Sequence, residues 1–338
     1  RDTAPRLNSC QNPAAVCGDL SATHCRFPQP PPRCHPEFAS RYSTSSQPVM
    51  NFASSYHVVT GAGRGIGRAI AVGLAQRGAA GVALIDVVPP LRAAAAAEAA
   101  AESQSFRALP IAADVSTRDG VHAAIATARA AFGRIDGMVC NAGVASGLEA
   151  GTALSAVGES AESWERSMSI NCLAHVWAAE SVVPEFESRE EGGSFVTVAS
   201  AAGLLTQVGA PSYSVSKAAA VAFAASLAVH HGDRGVRVHC VCPQAVATSL
   251  VGLPSEDPRA APPPGALAGG ADEGVLSPAA VAEATLDAMA SGGELLVLPH
   301  PEVAGYAQMR ASAPTKWVRG MRKLRDAIAA GKTPLVQA

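Results

Sequence analysis

The sequence is poor in aromatic and charged residues, and it has no excess of basic side chains. Of its 338 residues, 4% are aromatic and 16% are charged, and the formal net charge is -2. Proteins that bind nucleic acids normally carry a basic excess, so this composition argues against that class. The longest uncharged stretch, Gly192 to Ser216, contains Gly, Pro, Ser and Thr, and no segment has the composition of a membrane span.

The eight cysteines fall into two groups of four. Those in the first 34 residues have spacings that match no familiar zinc pattern, and the others lie in apolar surroundings typical of buried thiols in a reducing compartment. The two groups are Cys10, Cys17, Cys25 and Cys34, and Cys140, Cys172, Cys240 and Cys242. We therefore expect no metal site, and a cysteine-rich metal module near the start of the chain is the alternative.

Residues 1 to 50 are rich in Pro, Ser, Arg and Cys and show neither helical nor strand periodicity. We expect this segment to be disordered. It is either an organelle transit peptide or translated sequence upstream of a start at Met50, and its proline content favours the second interpretation. We therefore expect a cytoplasmic protein, with an organelle as the alternative location if residues 1–49 are a transit peptide.

From Tyr56 onward, short apolar runs alternate with alanine-rich helical segments. Strands are predicted over residues 57–60, 82–86, 107–112, 135–140, 194–199, 236–241 and 294–298. Helices are predicted over residues 65–78, 91–103, 118–132, 163–187, 213–232 and 278–290. This alternation is typical of an α/β protein in which a doubly wound parallel sheet, the Rossmann fold, has helices on both faces. Seven strands in one continuous alternation indicate a single domain over residues 51–302, followed by a helical tail over residues 303–338.

The first strand leads into a glycine-rich turn, Thr-Gly-Ala-Gly-Arg-Gly-Ile-Gly, over residues 60–67. Glycines there allow a tight turn and a close approach to a pyrophosphate, which the N-terminus of the next helix attracts. Asp86 ends the second strand 19 residues after Gly67, where a carboxylate accepts hydrogen bonds from an adenosine ribose. The pattern predicts a dinucleotide site. Because Asp86 repels a 2′-phosphate, NAD is favoured over NADP, although Arg64 is placed to pair with that phosphate.

Tyr213 and Lys217 lie four residues apart at the start of a predicted helix, so their side chains share one face. Tyrosine, with a reference pKa of about 10, is a poor base at neutral pH, but a nearby ammonium favours the phenolate and lowers this pKa. Ser200 lies 13 residues before Tyr213, at the carboxyl end of a strand, where ligand groups gather in open parallel sheets. Together the three residues predict a site of proton transfer.

In order and spacing, these motifs resemble those of the short-chain dehydrogenase/reductase family, of the compact one-domain type. The resemblance extends over residues 56 to 300. Its further matches are Asp114-Val115 after the third strand, Asn141-Ala142-Gly143 after the fourth strand, and Asn171 in the long helix. The resemblance implies an oxidoreductase that transfers a hydride between a nicotinamide cofactor and a secondary alcohol or ketone. An NADPH-dependent carbonyl reductase and a non-catalytic dinucleotide-binding regulator are the alternative functions.

The resemblance also implies a role for each matching residue. Tyr213 is the expected general acid/base, Ser200 orients the reacting oxygen, and Lys217 holds the nicotinamide ribose. Asn171 is expected to anchor a relay water, and the support of a helix irregularity is the structural alternative for this side chain. The residues expected to contact the cofactor are Gly61, Arg64, Gly65, Ile66, Gly67, Asp86, Asp114, Val115, Asn141, Ala142, Gly143, Tyr213, Lys217, Pro243, Val246 and Thr248.

Three other segments bear on the substrate and on the cofactor loop. Residues 250–274 are rich in Pro, Gly and Ala and lie where this family has its substrate-covering loop, so we expect a mobile lid, with a passive surface insertion as the alternative. The largely apolar segment 202–212 is expected to form a pocket wall, which favours a substrate with an apolar body. After the sixth strand the family usually has Pro-Gly, whereas Gln244 follows Pro243 here, and the lost glycine restricts the backbone.

The predicted helix over residues 213–232 has no charged residue between Ala218 and Val229. A helix that is apolar all round needs cover on its outer side. We expect a homodimer or homotetramer, as the resemblance implies, and cover by residues 303–330 of the same chain is the alternative. The basic residues near the chain end are interpreted as a solvated helix face. The expected partners are a small-molecule alcohol or ketone and further copies of the chain, with no nucleic acid and no membrane span.

Overall fold

Seven short strands form one parallel sheet in the computed structural model. The structure describes residues 50–101, 103, 105–145, 154–248, 250, 274–292 and 294–330. The strands are β1 (Tyr56–Thr60), β2 (Gly81–Asp86), β3 (Arg107–Ala112), β4 (Gly137–Cys140), β5 (Gly193–Val198), β6 (Val236–Val241) and β7 (Leu296–Val297). Their order across the sheet is β3-β2-β1-β4-β5-β6-β7, and every pair is parallel. The predicted doubly wound α/β fold is confirmed.

Helices connect the strands and cover both faces of the sheet. They are α1 (Gly65–Gln76), α2 (Leu91–Ala100), α3 (Arg118–Phe132), α4 (Ala161–Met168), α5 (Ala174–Glu187), α6 (Ala201–Leu205), α7 (Pro211–His231), α8 (Pro278–Ser291), α9 (Glu302–Ser312) and α10 (Pro314–Ala329). A π-helical turn over Ser169–Leu173 joins α4 to α5. Side-chain caps fix several helix starts; Thr117 accepts a hydrogen bond from the Gly120 amide at α3, for example.

Two apolar layers hold this arrangement together. On one face, buried residues of α3, α5 and α7 pack against side chains such as Val58 and Phe195. On the other face, α1, α2 and α8 pack against Val59 and Val196. Neighbouring residues of β1 and β5 thus point to opposite layers, as the pleat of a strand requires. The chain reverses its strand order between β1 and β4, and this point is where α/β sheets bind ligands.

The structure differs from the sequence prediction at several elements. The helix predicted over residues 163–187 is two helices joined by a π-helical turn, and a short helix, α6, follows β5. The strand predicted over residues 294–298 is only the two residues of β7. The tail forms two helices because Pro314 lacks the amide hydrogen that a continuous helix needs. Residues 1–49, most of the expected lid and the last eight residues of the chain lie outside the described residues.

Among the described residues, the segment Pro211–Arg234 is long and apolar enough, by length and composition alone, to cross a membrane. It contains α7, one side of which packs on β5, β6, α5 and α6. Core helices of α/β domains have this composition, so it carries no argument for a membrane span.

Candidate active site

The glycine turn after β1 folds so tightly that side chains cannot be added to it. Gly65 begins α1 with a φ angle of +55°, a conformation that favours glycine. A Cβ atom on Gly67 would lie 2.3 Å from the carbonyl oxygen of Gly61 and 2.5 Å from the side-chain nitrogen of Asn141. The start of α1 therefore packs directly against the preceding turn, and its first two residues, Gly65 and Ile66, line the cleft.

Asp86 supports this turn from the end of β2. One carboxylate oxygen, Oδ2, accepts a hydrogen bond of 2.9 Å from the Gly63 amide, and Oδ1 accepts one of 2.8 Å from the Val87 amide. The side chain is partly exposed and lines the cleft beside the turn. Asp86 therefore has a structural role that the sequence did not show, in addition to the charge that it presents to the cleft.

Asn141 joins the end of β4 to the same turn. Its side-chain amide donates to the carbonyl oxygens of Thr60 at 2.9 Å and Gly61 at 3.1 Å. In return, the Thr60 hydroxyl oxygen accepts from the backbone amides of Asn141 and Ala142. These bonds fix the two central strand ends on which the turn rests.

Tyr213, Lys217 and Ser200 meet at the other end of the cleft. Lys217 lies one helical turn after Tyr213 on α7, and its ammonium is 5.9 Å from the centre of the Tyr213 ring. The ammonium donates a hydrogen bond of 2.9 Å to the Val198 carbonyl at the end of β5. Ser200 caps α6, and its hydroxyl oxygen accepts from the Ala202 amide at 3.0 Å. All three side chains are buried.

Burial determines the acid–base state of this group in the protein alone. It raises the pKa of Tyr213, an effect that the hydrogen bond from Ser200 only partly opposes and that Cys242 increases. In the isolated protein the pKa of Tyr213 is thus raised, not lowered as expected from the sequence, because desolvation of the phenolate is the largest effect. For Lys217 the effect has the opposite sign: burial disfavours the ammonium and lowers its pKa to about 8.

Asn171 lies inside the π-helical turn, and its side chain is fully occupied. Its Oδ1 accepts from the Val144 amide at 2.9 Å, while its Nδ2 donates to the Val144 carbonyl and the Ser216 hydroxyl, both at 2.9 Å. The side chain therefore holds the loop after β4 against α7. This agrees with the structural alternative, and it places Asn171 behind the cleft, next to Gly143.

A buried polar layer lies behind Lys217, between the sheet and helices α5 and α7. Its members are His175, Thr197, Cys172, Cys240 and Cys242. Neither ring nitrogen of His175 nor the Thr197 hydroxyl has a hydrogen-bond partner among the described residues. Burial, with a smaller contribution from Lys217, lowers the pKa of His175 to about 3. The polar layer therefore contains a neutral imidazole at neutral pH.

The cleft between the two ends has a volume of about 450 Å³. It brings together every residue that the sequence predicted for the site except Gly67 and Asn171, which lie beneath its walls. The sequence missed Arg166 and Ile170, which line the cleft. They are four residues apart, so their side chains lie on the same side of the helical segment that leads into the π-helical turn. The sequence also missed Val144 and apolar residues at the strand ends, among them Ile85 and Val198.

The apolar segment 202–212, expected as a pocket wall, contributes no residue to this cleft. Residues 201–205 form α6 instead, and Ala202 and Ala210 are buried in a cluster around Tyr213. The four cysteines of the described residues are unpaired and buried, as predicted. In this part of the chain, no group of three His, Cys, Asp or Glu side chains is placed to hold a metal ion.

Comparison with known proteins identifies the family. The family model described as short chain dehydrogenase matches residues 56–258. This chain belongs to the short-chain dehydrogenase family. As its members do, the protein acts on alcohol and carbonyl groups as an oxidoreductase with a nicotinamide cofactor.

Individual relatives show how far the similarity extends. The 3beta-hydroxysteroid dehydrogenase 2 of Eggerthella lenta is 32% identical over 202 residues, which cover 59% of this chain and 75% of that protein. The cis-4-hydroxycyclohexanecarboxylate dehydrogenase of Sinomonas cyclohexanicum is 35% identical, over 61% of this chain and 79% of that protein. A short-chain dehydrogenase/reductase from Burkholderia phymatum, solved in complex with NAD, superposes with a TM-score of 0.65 at 26% identity, over 78% of this chain and 95% of that one.

Proposed function

We propose that this short-chain dehydrogenase interconverts a secondary alcohol and a ketone with NAD, and that Tyr213 transfers the proton. The observation that carries the proposal is the single cleft that has the glycine turn and Asp86 at one end and Tyr213, Ser200 and Lys217 at the other. A dinucleotide-binding regulator has no physical need for a buried ammonium beside a buried phenol, because both cost stability.

The described residues fit the proposed cofactor. The start of α1 offers backbone amides for a pyrophosphate. A Cβ atom at Gly143 would lie 3.3 Å from the Lys217 ammonium, so glycine keeps the space beside this ammonium open. Asp86, Asp114 and Val115 line the cleft at the end proposed for the adenosine. When bound, the nicotinamide supplies or accepts the hydride.

Tyr213 is proposed to give a proton to the substrate oxygen in reduction and to remove it in oxidation. The Ser200 oxygen accepts from the Ala202 amide, and its hydroxyl hydrogen-bonds Tyr213, so we propose that the two hydroxyls hold the substrate oxygen between them. Lys217 has its remaining N–H groups available beyond the Val198 carbonyl, and its charge favours the phenolate form of Tyr213 during proton transfer. We propose that Asn171 acts by holding the Val144 loop and α7 together.

The preference for NAD is proposed to come from Asp86. Its carboxylate faces the cleft and would repel a 2′-phosphate, whereas Arg64, which also lines the cleft, supports the alternative cofactor NADP. Because Asp86 also bonds the Gly63 amide, Asp86→Ala would disturb the turn, whereas Asp86→Asn keeps one acceptor oxygen for this amide. It loses the charge and the bond from the Val87 amide, but the lost bond affects both cofactors alike. Comparison of wild type and Asp86→Asn with both cofactors therefore measures the effect of the charge.

The decisive experiment is a panel of secondary alcohols offered with NAD, with the reduced cofactor followed by its absorbance. We expect turnover of at least one alcohol with an apolar body, and its loss in Tyr213→Phe with NAD binding retained. Turnover of Tyr213→Phe within a few-fold of wild type would remove Tyr213 from the mechanism. Higher efficiency with NADPH and ketones would favour the carbonyl reductase.

The assembly and location of the protein are also proposals. Val215 and Val229 on the outer side of α7 are 49% and 78% exposed, and this apolar face supports a homodimer or homotetramer. The four described thiols are unpaired, which supports a reducing compartment and hence the cytoplasm. Residues 1–49 are proposed to be dispensable for folding and activity.

A further inference from the structure

Helix α10 is a strongly basic helix on the outside of the domain. It carries five basic residues and one acidic residue, Asp326, and none of its residues is buried. Among the described elements it packs mainly against α9, and its Trp317 reaches the small apolar cluster formed by α6 and α9. The basic residues are Lys316, Arg319, Arg322, Lys323 and Arg325, and all five are exposed.

Four large apolar residues of α10 form a stripe, and Val318, which is 48% exposed, lies beside it. Trp317, Met321, Leu324 and Ile328 follow one another at intervals of four, three and four residues, and at 3.6 residues per turn they lie on one side of the helix. None of the four is buried, and Leu324 is 38% exposed. Tyr306 of α9 lies 6.4 Å from Trp317 and extends this apolar surface at one end.

The cations surround this stripe in the way that an interfacial helix requires. By helical position, Lys316 and Arg325 flank the stripe on its two sides, and Arg319 and Lys323 lie on the opposite face. Long basic side chains of this kind extend their charged ends to lipid headgroups while their stems cover apolar surface. Arg319 and Arg322 also line a shallow surface depression next to Val318.

We infer that α10 docks the protein onto an anionic lipid surface, with the part of the apolar stripe beyond Trp317 at the acyl boundary and the flanking basic residues among the headgroups. A basic amphipathic helix is attracted to such a surface by both its charge and its apolar face. A second copy of α10 would be a poor partner for this surface, because the cations of the two helices would repel each other. A nucleic acid would use the cations but leave the apolar stripe in water.

Docking through α10 would bring the lipid close to the catalytic end of the domain. Arg310 of α9 donates a hydrogen bond to the Leu204 carbonyl of α6, and α6 begins directly after Ser200. An apolar substrate dissolved in the lipid would then enter beside Tyr213. This consequence rests on the proposed function, whereas the docking itself does not.

The test is sedimentation of the full-length protein with vesicles. We expect binding to vesicles of phosphatidylserine and phosphatidylcholine, little binding to pure phosphatidylcholine, and release by added salt. Lys316→Glu, Arg322→Glu and Arg325→Glu together should weaken the partition by at least about 100-fold, because the loss of each cation near an anionic surface costs about a five-fold factor and each new carboxylate adds repulsion. The matched control, Lys316→Arg, Arg322→Lys and Arg325→Lys, keeps the charges and should bind as wild type does.

A second variant tests the apolar stripe without any change of charge. Leu324→Gln with Ile328→Gln should also reduce binding to the mixed vesicles, because less apolar area enters the interface. Equal binding to both vesicle types, or wild-type binding by the charge-reversed protein, would overturn the inference. So would light scattering in which charge reversal changes the number of subunits, since α10 would then be an interface between copies. Turnover of a water-soluble alcohol measures the proposed function separately.

Discussion

Removing the buried charge of Lys217 should stabilise the protein while destroying its activity. Burial lowers the pKa of this lysine from 10.5 to about 8, which at about 1.36 kcal/mol per pKa unit means that the buried ammonium costs about 3 kcal/mol at neutral pH. Lys217→Met keeps most of the side-chain volume but loses the hydrogen bond to the Val198 carbonyl, worth about 1 kcal/mol. We therefore expect the cofactor-free variant to gain about 2 kcal/mol in its free energy of unfolding at pH 7.

The pH dependence gives this prediction a sharper form. Between pH 8 and 10.5 the unfolded chain keeps a proton that the folded protein has released, so the stability of the wild type rises relative to Lys217→Met as the pH increases. The advantage of the variant should therefore shrink across this range. Urea unfolding at several pH values measures it, with Lys323→Met, an exposed lysine of α10, as the matched control. A Lys217→Met protein that is less stable at pH 7, or a difference independent of pH, would refute the reasoning.

The remaining predictions concern the proton, the cofactor, acid stability and assembly. Tyr213→Phe should lower kcat by about 100-fold or more with NAD affinity retained, as fluorescence titration would show. Asp86→Asn should shift the ratio of kcat/KM for NAD over NADP by about 1–3 kcal/mol towards NADP, and an unchanged ratio would exclude Asp86 as the selector. Because the pKa of His175 is lowered to about 3, the unfolded chain takes up its proton first, and stability should fall from pH 6.5 towards pH 3, less so in His175→Leu. Light scattering should give the mass of at least two subunits, and Val229→Asp should reduce it.

The sequence predicted the fold well because the information was local. The inner strands are short apolar runs buried on both faces. The glycine turn marks the passage from β1 to α1 within a few residues of chain. Tyr213 and Lys217 were recognisable for the same reason, since a spacing of four residues on a helix places two side chains on one face. Where a feature depends on a few neighbouring residues, the pattern was sufficient.

The remaining features depend on contacts between distant parts of the chain. The π-helical turn around Asn171 is held by Val144 and Ser216, and no local periodicity reveals either contact. Helix α6 has only five residues, which is too short for a periodic pattern. The bond from Gly63 to Asp86 and the place of Arg166 in the cleft likewise arise only when the strands and helices are assembled.

The direction of the Tyr213 pKa shows why charge alone did not predict the site. Sequence spacing reveals that an ammonium is near the phenol, but it does not reveal that both groups are removed from water by α6, α7 and the end of β5. Desolvation is the largest cause of both pKa shifts, and it penalises the phenolate and the ammonium separately. The fold tolerates this costly pair because two extended apolar layers stabilise the same sheet on both faces.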